Sequence, residues 1–319
     1  MKILVTGGAG FIGSNFVRLL INNSDYEVVN YDKLTYAGNL NNLRDIENNK
    51  RYKFIKGDIC NPEEIKEAVK DCSVIVNFAA ESHVDRSIND PSTFIKTDIF
   101  GAFTLLEEAR KNNLQFVQIS SDEVYGQILE GSFTETSPLM PRNPYSASKT
   151  GADRLAYSYF STYGLKVIIT RSSNNFGPYQ YPEKVIPLFV TNLLTGKKVP
   201  VYGAGKQIRD WLYVEDNCEG IKACMEKGRS GEVYNIGGGN ELQNIELTKN
   251  ILKELNLNED RIEYVEDRKG HDFRYSLNCD KIKTELNWKP RNEFKNALKK
   301  TINWYQENEG WWKPLIKNK

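Results

Sequence analysis

A short apolar run, Ile3-Leu4-Val5, leads directly into Gly8-Ala9-Gly10-Phe11-Ile12-Gly13, and then into Phe16, Val17, Leu19, Leu20 and Ile21 at helical spacing. A strand, a GxGxxG turn and a helix in that order leave little freedom of fold. One glycine makes the tight turn, one lets the backbone approach a pyrophosphate, and one lets helix pack on strand. The start of the helix then offers unpaired N–H groups to phosphate oxygens. Asp32 ends the second apolar run, roughly 20 residues beyond the loop, where a carboxylate can bond a ribose 2′-hydroxyl. That favours NAD over NADP, although Lys33 beside it weakens the inference slightly.

The same alternation continues. Val28-Val29, Phe54-Ile55, Val74-Ile75-Val76, Phe116 to Ile119 and Val167-Ile168-Ile169 read as buried strands. Amphipathic stretches separate several of them, such as Pro62 to Val69, with proline at a first helical position, and about Pro91 to Asn112. Nearly continuous apolar strands in a βαβα rhythm predict an α/β protein: a Rossmann doubly wound parallel sheet covered on both faces. After about residue 176 the rhythm degrades. Pro178, Pro182, Pro187 and Pro200 crowd together, and Glu246–Asn256 and Phe294–Tyr305 have helical spacing. The expected division is an NAD-binding domain over 1–175 and a smaller, mostly helical substrate lobe over 176–319, with a segment around 208–237 returning to the first.

Composition narrows the function classes. The chain has 319 residues, with 43 Lys+Arg against 42 Asp+Glu, a net charge of +1 that argues against a nucleic-acid partner. No apolar run approaches the ~18 residues of a membrane span, and the N-terminus has no signal-peptide core. The five cysteines form no CxxC pair, which fits a reducing, cytoplasmic compartment. With only two histidines, no metal centre is expected.

Tyr145 and Lys149 are four apart at the start of a helical stretch, on one face. Tyr52…Lys56 and Tyr202…Lys206 share the spacing, but the first lies on a strand and the second spans two glycines. A nearby ammonium is expected to lower the Tyr145 phenol, so that it can take a hydroxyl proton as hydride leaves for a nicotinamide. Asp122 and Glu123 follow the strand Phe116–Ile119, where a doubly wound sheet binds its ligands. Two such carboxylates in different surroundings can serve as an acid and a base, which an elimination of water requires.

These residues resemble the extended short-chain dehydrogenases/reductases, and among them the dTDP-glucose 4,6-dehydratases. The likeness runs over nearly the whole chain. It is carried by Gly7–Ser14, Asp32–Asn39, Ala79–Ser87, Ser120–Gly126, Tyr145–Lys149, Arg171–Gln180, Arg209-Asp210-Trp211 and Asp267–Tyr275. Ala79–Ser87 and the Asp122-Glu123 pair are the most specific segments. One departure is Ser121, where the family usually has threonine; the hydroxyl is kept but the methyl that restricts its rotamer is lost.

The resemblance implies a lyase that converts dTDP-glucose to its 4-keto-6-deoxy product and water, with a tightly bound NAD regenerated each turn. Tyr145, helped by Lys149 and Ser121, would act at carbon 4, Glu123 as base at carbon 5, and Asp122 as acid toward the carbon 6 hydroxyl. The implied cofactor contacts are Gly7, Gly10, Phe11, Ile12, Gly13, Asp32, Lys33, Leu34, Thr35, Asp58, Ile59, Phe78, Ala79, Ala80, Glu81, Ser82, Thr97, Tyr145, Lys149 and Asn175. The implied nucleotide-sugar contacts are Ser82, Ser121, Asp122, Glu123, Tyr145, Asn174, Lys184, Val185, Arg209, Asn244, Asp267, Arg268, His271 and Tyr275. Arg209 suits a diphosphate because a guanidinium pairs two oxygens at once; the competing reading is an ion pair with Asp210. A homodimer is implied, with Phe100, Phe103, Tyr157 and Phe160 as candidate interface or core positions. The alternatives are a UDP-glucose dehydratase, an epimerase or decarboxylase on the same fold, and a non-catalytic NAD(H)-binding sensor.

Overall fold

The computed structural model describes residues 1–267 and 270–317. Six strands form in the order the apolar runs predict: β1 (Lys2–Thr6), β2 (Glu27–Asp32), β3 (Tyr52–Lys56), β4 (Val74–Asn77), β5 (Gln115–Ser121) and β6 (Val167–Ser172). A seventh, Val233–Ile236, joins beyond β6, and the sheet order is Val233–Ile236, β6, β5, β4, β1, β2, β3. Every neighbouring pair is parallel. The order reverses between β1 and β4, so the crevice for a ligand opens there, at the carboxyl ends of the strands.

Alternation along each strand feeds two cores. Ile3 and Val5 face one side, with Phe16, Val17 and Leu20 of the helix Phe11–Asn23 and Ile221 of the helix Val214–Lys227. Leu4 faces the other, with Leu105 and Leu106 of Gly101–Lys111 and Ala156 of Pro144–Tyr163. The helix expected over Pro91–Asn112 is interrupted: a π-helical segment, Ile95–Phe100, separates Pro91–Phe94 from Gly101–Lys111. Such π segments are frequent at functional sites, and this one carries Thr97 and the buried Asp98.

The second lobe has its own core around Phe176, Trp211, Leu247, Ile251, Leu298, Tyr305 and Trp312. It holds helices Val185–Leu194, Asn244–Glu254 and Phe294–Glu307, together with two small sheets. Ile208–Tyr213 pairs with Asn174–Phe176 and Glu241–Gln243 in one of these. Within the segment around 208–237, Leu212, Val214, Ile221, Tyr234 and Ile236 pack in the core on one face of the seven-stranded sheet. Ile282, Leu286 and Trp288 also pack there. Among the described residues no helix is long and apolar enough to cross a membrane.

Candidate active site

The glycine loop is shaped by contacts no side chain could share. Gly7 has φ +69°, and a Cβ there would lie 2.6 Å from the Ala79 nitrogen. A Cβ on Gly13 would lie 2.3 Å from the Gly7 carbonyl oxygen. Gly10 caps the helix Phe11–Asn23 without a side-chain cap bond, and its first turn has no acidic residue. That end is free to receive an anion. Asp32 fixes the loop, accepting from Ala9 N at 2.9 Å and Leu34 N at 2.7 Å. Lys33 pairs with Asp58 at 2.7 Å, so its charge is directed to a carboxylate.

One cleft runs from this loop to the ends of β5 and β6. Every expected cofactor residue except Leu34 lines it, from Gly7 through Asp58 and Thr97 to Tyr145, Lys149 and Asn175. Leu34 instead holds a left-handed backbone at φ +58° and bonds Asp32 through its N–H. Several buried acceptors lining the cleft have no partner within the described residues: Ser120 Oγ, Asp122 Oδ2, Asn174 Oδ1, Asn175 Oδ1 and Gln180 Oε1. Buried polar atoms are ordinarily bonded. This row of acceptors, with the glycine cradle, fits a ligand bearing hydroxyl and amide donors, as NAD does.

Tyr145 and Lys149 lie one turn apart on Pro144–Tyr163, whose start is set by Asn143 in a capping box with Ser146 and by Pro144. Lys149 Nζ donates to the Ile119 carbonyl at 2.7 Å, and burial pulls its ammonium below the ordinary lysine value against the pull of Asp98 and Asp153. The expectation that Lys149 lowers the Tyr145 phenol is corrected. Burial and the nearby Glu123 push that phenol well above its ordinary value, while a hydrogen bond with Ser121 opposes the rise.

Asp122 and Glu123 sit in a 3-10 turn, Asp122–Tyr125, that follows β5. Ser121 shapes it: its hydroxyl accepts from Glu123 N at 3.2 Å and donates to Asp122 Oδ1 at 3.1 Å. Asp122 is 2% exposed. Burial, then Glu123, push its carboxyl well above the ordinary value. Burial also raises Glu123, but Arg209, Lys184 and the Asn143 amide resist the rise, the amide at 3.4 Å.

A second chamber opens beyond Glu123, Asn174 and Lys184, which line both spaces. Val185, Arg209, Asn244, His271 and Tyr275 line it as expected. Ser82, Ser121, Asp122 and Tyr145 line the first cleft instead. Arg209 does not pair with Asp210. Its guanidinium lies over the Tyr275 ring at 4.3 Å and bonds the Asp272 carbonyl at 2.9 Å, while Asp210 accepts from the Gly238 and Asn240 N–H groups. Asp267 stands behind the wall, holding His271 at 2.7 Å and Gln207 at 2.6 Å. Arg268 lies outside the described residues.

The sequence reading missed Tyr36, Gln180, Tyr181 and Glu183 near the cleft and Phe189, Pro200 and Trp211 in the chamber. Tyr36, Gln180 and Trp211 lie within segments that carry the resemblance but were given no role there; Tyr181, Glu183, Phe189 and Pro200 come from separate loops, helices and strands that no periodicity links.

The family described as GDP-mannose 4,6-dehydratase matches residues 4–301 of this chain. A dTDP-glucose 4,6-dehydratase from Streptomyces niveus is 50% identical over 321 residues, covering 99% of this chain and 96% of that protein. The crystal structure of a dTDP-glucose 4,6-dehydratase from Streptomyces venezuelae with NAD bound superposes with a TM-score of 0.96 at 50% identity, covering 99% of this chain and 100% of that one. The enzyme of that name from Bacillus anthracis, in complex with NAD, gives 0.93 at 52% identity, covering 99% of each chain.

Proposed function

The chain belongs to the GDP-mannose 4,6-dehydratase family of extended short-chain dehydrogenases/reductases, and from that premise we propose how it works as a dTDP-glucose 4,6-dehydratase. It is an NAD-dependent hydro-lyase that converts dTDP-glucose to dTDP-4-keto-6-deoxyglucose and water. The observation that carries the residue roles is the contrast in surroundings of two adjacent carboxyls: Asp122 is buried with one oxygen unpartnered, while Glu123 has Arg209, Lys184 and the Asn143 amide around it.

Bound NAD takes hydride from carbon 4 of the sugar and returns it to carbon 6, so the redox change closes within one turnover. The chain's own groups move the protons. Tyr145 would receive the carbon 4 hydroxyl proton as its phenolate, the form that the Ser121 hydrogen bond favours against burial. The resulting ketone acidifies carbon 5, and Glu123, held toward its ionised form by Arg209 and Lys184, removes that proton. Asp122, pushed toward its protonated form by burial and by Glu123, protonates the departing carbon 6 hydroxyl. Lys184 and Asn174 at the junction of the two spaces, with Arg209 in the second chamber, hold the diphosphate sugar. His271, fixed by Asp267, lines the nucleotide end.

A cytoplasmic homodimer is part of the same proposal. Ile95, Phe100, Phe103 and Tyr157, 40–56% exposed, form an apolar face on the helices after Pro91 and Pro144, and such a face marks a partner surface.

The test is incubation with dTDP-glucose and with UDP-glucose, without added cofactor, reading the 4-keto product. Product from dTDP-glucose is expected. None from either sugar overturns the reading, and product from UDP-glucose alone reassigns the base.

A further inference from the structure

Three segments without a shared sequence signal meet over the cofactor cleft. Tyr36 comes from the loop after β2, Arg86 from the helix Val84–Asn89, and Glu183 from the loop before Val185–Leu194. The Tyr36 hydroxyl donates to Glu183 Oε1 at 2.9 Å. Arg86 reaches Glu183 Oε2 at 3.3 Å, and its guanidinium lies 3.6 Å from the Tyr36 ring centroid. Each of the three residues therefore touches the other two. His83 Nε2 stands 3.9 Å from the same Glu183 oxygen. The Glu183 side chain is only 5% exposed, and a carboxylate so buried depends on its partners. The next residue, Lys184, donates to the Ser82 carbonyl, adding a second stitch along the seam.

The same three segments wall the cleft. Thr35 and Gly38 line it from the first, Glu81 and Ser82 from just before the second, and Tyr181 and Glu183 from the third. We propose that Tyr36, Arg86 and Glu183 form a clasp over the cleft that sets how long NAD stays bound. The proposal rests on the reading of the chain as an enzyme that regenerates its cofactor. Such an enzyme gains nothing from releasing NAD between turnovers. The clasp joins the loop that follows Asp32 to the lobe that carries the substrate chamber, so cofactor escape requires separating the two.

The test follows exchange of bound NAD against isotopically labelled NAD in the purified holoenzyme. Glu183→Gln removes the charge and keeps the shape. Tyr36→Phe removes one hydroxyl and keeps the ring against Arg86. Glu183→Gln is expected to speed exchange by about tenfold or more, as loss of a charge-assisted bond implies, and Tyr36→Phe by several-fold. Melting of the NAD-free chains identifies a variant that has not folded, in which case the other carries the test. Exchange at the wild-type rate in a folded variant overturns the clasp. A failure of the dehydratase reading shows separately, as absence of 4-keto product from wild type, while the exchange comparison still stands.

Discussion

Asp122 and Glu123 are consecutive in sequence yet differ in what stabilises their charge. Asp122 is buried, has one carboxyl oxygen without a partner in the protein and has Glu123 as its nearest negative neighbour. Burial raises Glu123 as well, but Arg209 and Lys184 oppose that rise. In the proposed mechanism that difference makes Asp122 the acid and Glu123 the base.

That separation predicts two different blocks. Glu123→Gln should still oxidise the sugar at carbon 4, so reduced cofactor accumulates, but deuterium at carbon 5 should be retained. Asp122→Asn should keep carbon 5 exchange and lose elimination at carbon 6. Each is expected to lower kcat by about 100-fold or more, the usual scale for a general acid or base. Carbon 5 exchange persisting in Glu123→Gln would remove Glu123 from its role.

Asp98 predicts a pH dependence of stability. Burial pushes its carboxyl from 3.8 up to about 6, against Lys149, a Ser148 hydrogen bond at 2.5 Å and the Glu81 N–H at 2.9 Å. The folded state therefore holds this proton where the unfolded state has lost it. Stability from this group falls as pH rises from about 4 to about 6, by about 3 kcal/mol. Asp98→Asn carries no such dependence. Urea unfolding should show the variant gaining on wild type across that window; parallel curves would refute the assignment.

Asp153 and Arg171 tie the helix that bears Tyr145 to β6. Arg171 Nε and Nη2 meet the two carboxyl oxygens at 2.8 and 2.9 Å, with Arg171 1% exposed. Asp153→Asn strands a buried cation and should cost about 3 kcal/mol or more. Chemical denaturation checks this, and a loss below about 1 kcal/mol would contradict it.

Gly13→Ala should abolish cofactor retention, because the new methyl would sit 2.3 Å from the Gly7 carbonyl oxygen and 2.9 Å from Gly8 Cα, both backbone atoms. The purified variant should carry little NAD. Full occupancy would mean that the loop yields more easily than this geometry allows.

The strands along the chain and the glycine turn were legible because they depend on local patterns. Val74-Ile75-Val76 reads as a strand from three residues, and Gly8–Gly13 reads as a phosphate turn from six. The clasp was not legible: Tyr36 and Glu183 are 147 positions apart and neither belongs to a periodic element. Arg209 beside Asp210 invited an ion pair, but the turn after Ile236 brings the Gly238 and Asn240 N–H groups to that carboxylate, and the guanidinium goes to Tyr275.

The sequence by itself determined the parallel sheet and the dinucleotide turn, and it marked Tyr145, Lys149, Asp122 and Glu123 as candidates for the proton chemistry, since short-range spacing and residue type carry those signals. Tertiary structure alone decided the electrostatic surroundings. Which way Tyr145, Asp122 and Glu123 are pushed from their ordinary values depends on how deeply each is buried and which charges stand nearby. Those neighbours, Lys184 and Arg209 among them, arrive from distant parts of the chain. Electrostatic energy follows distance and dielectric in space, and neither can be read along a sequence.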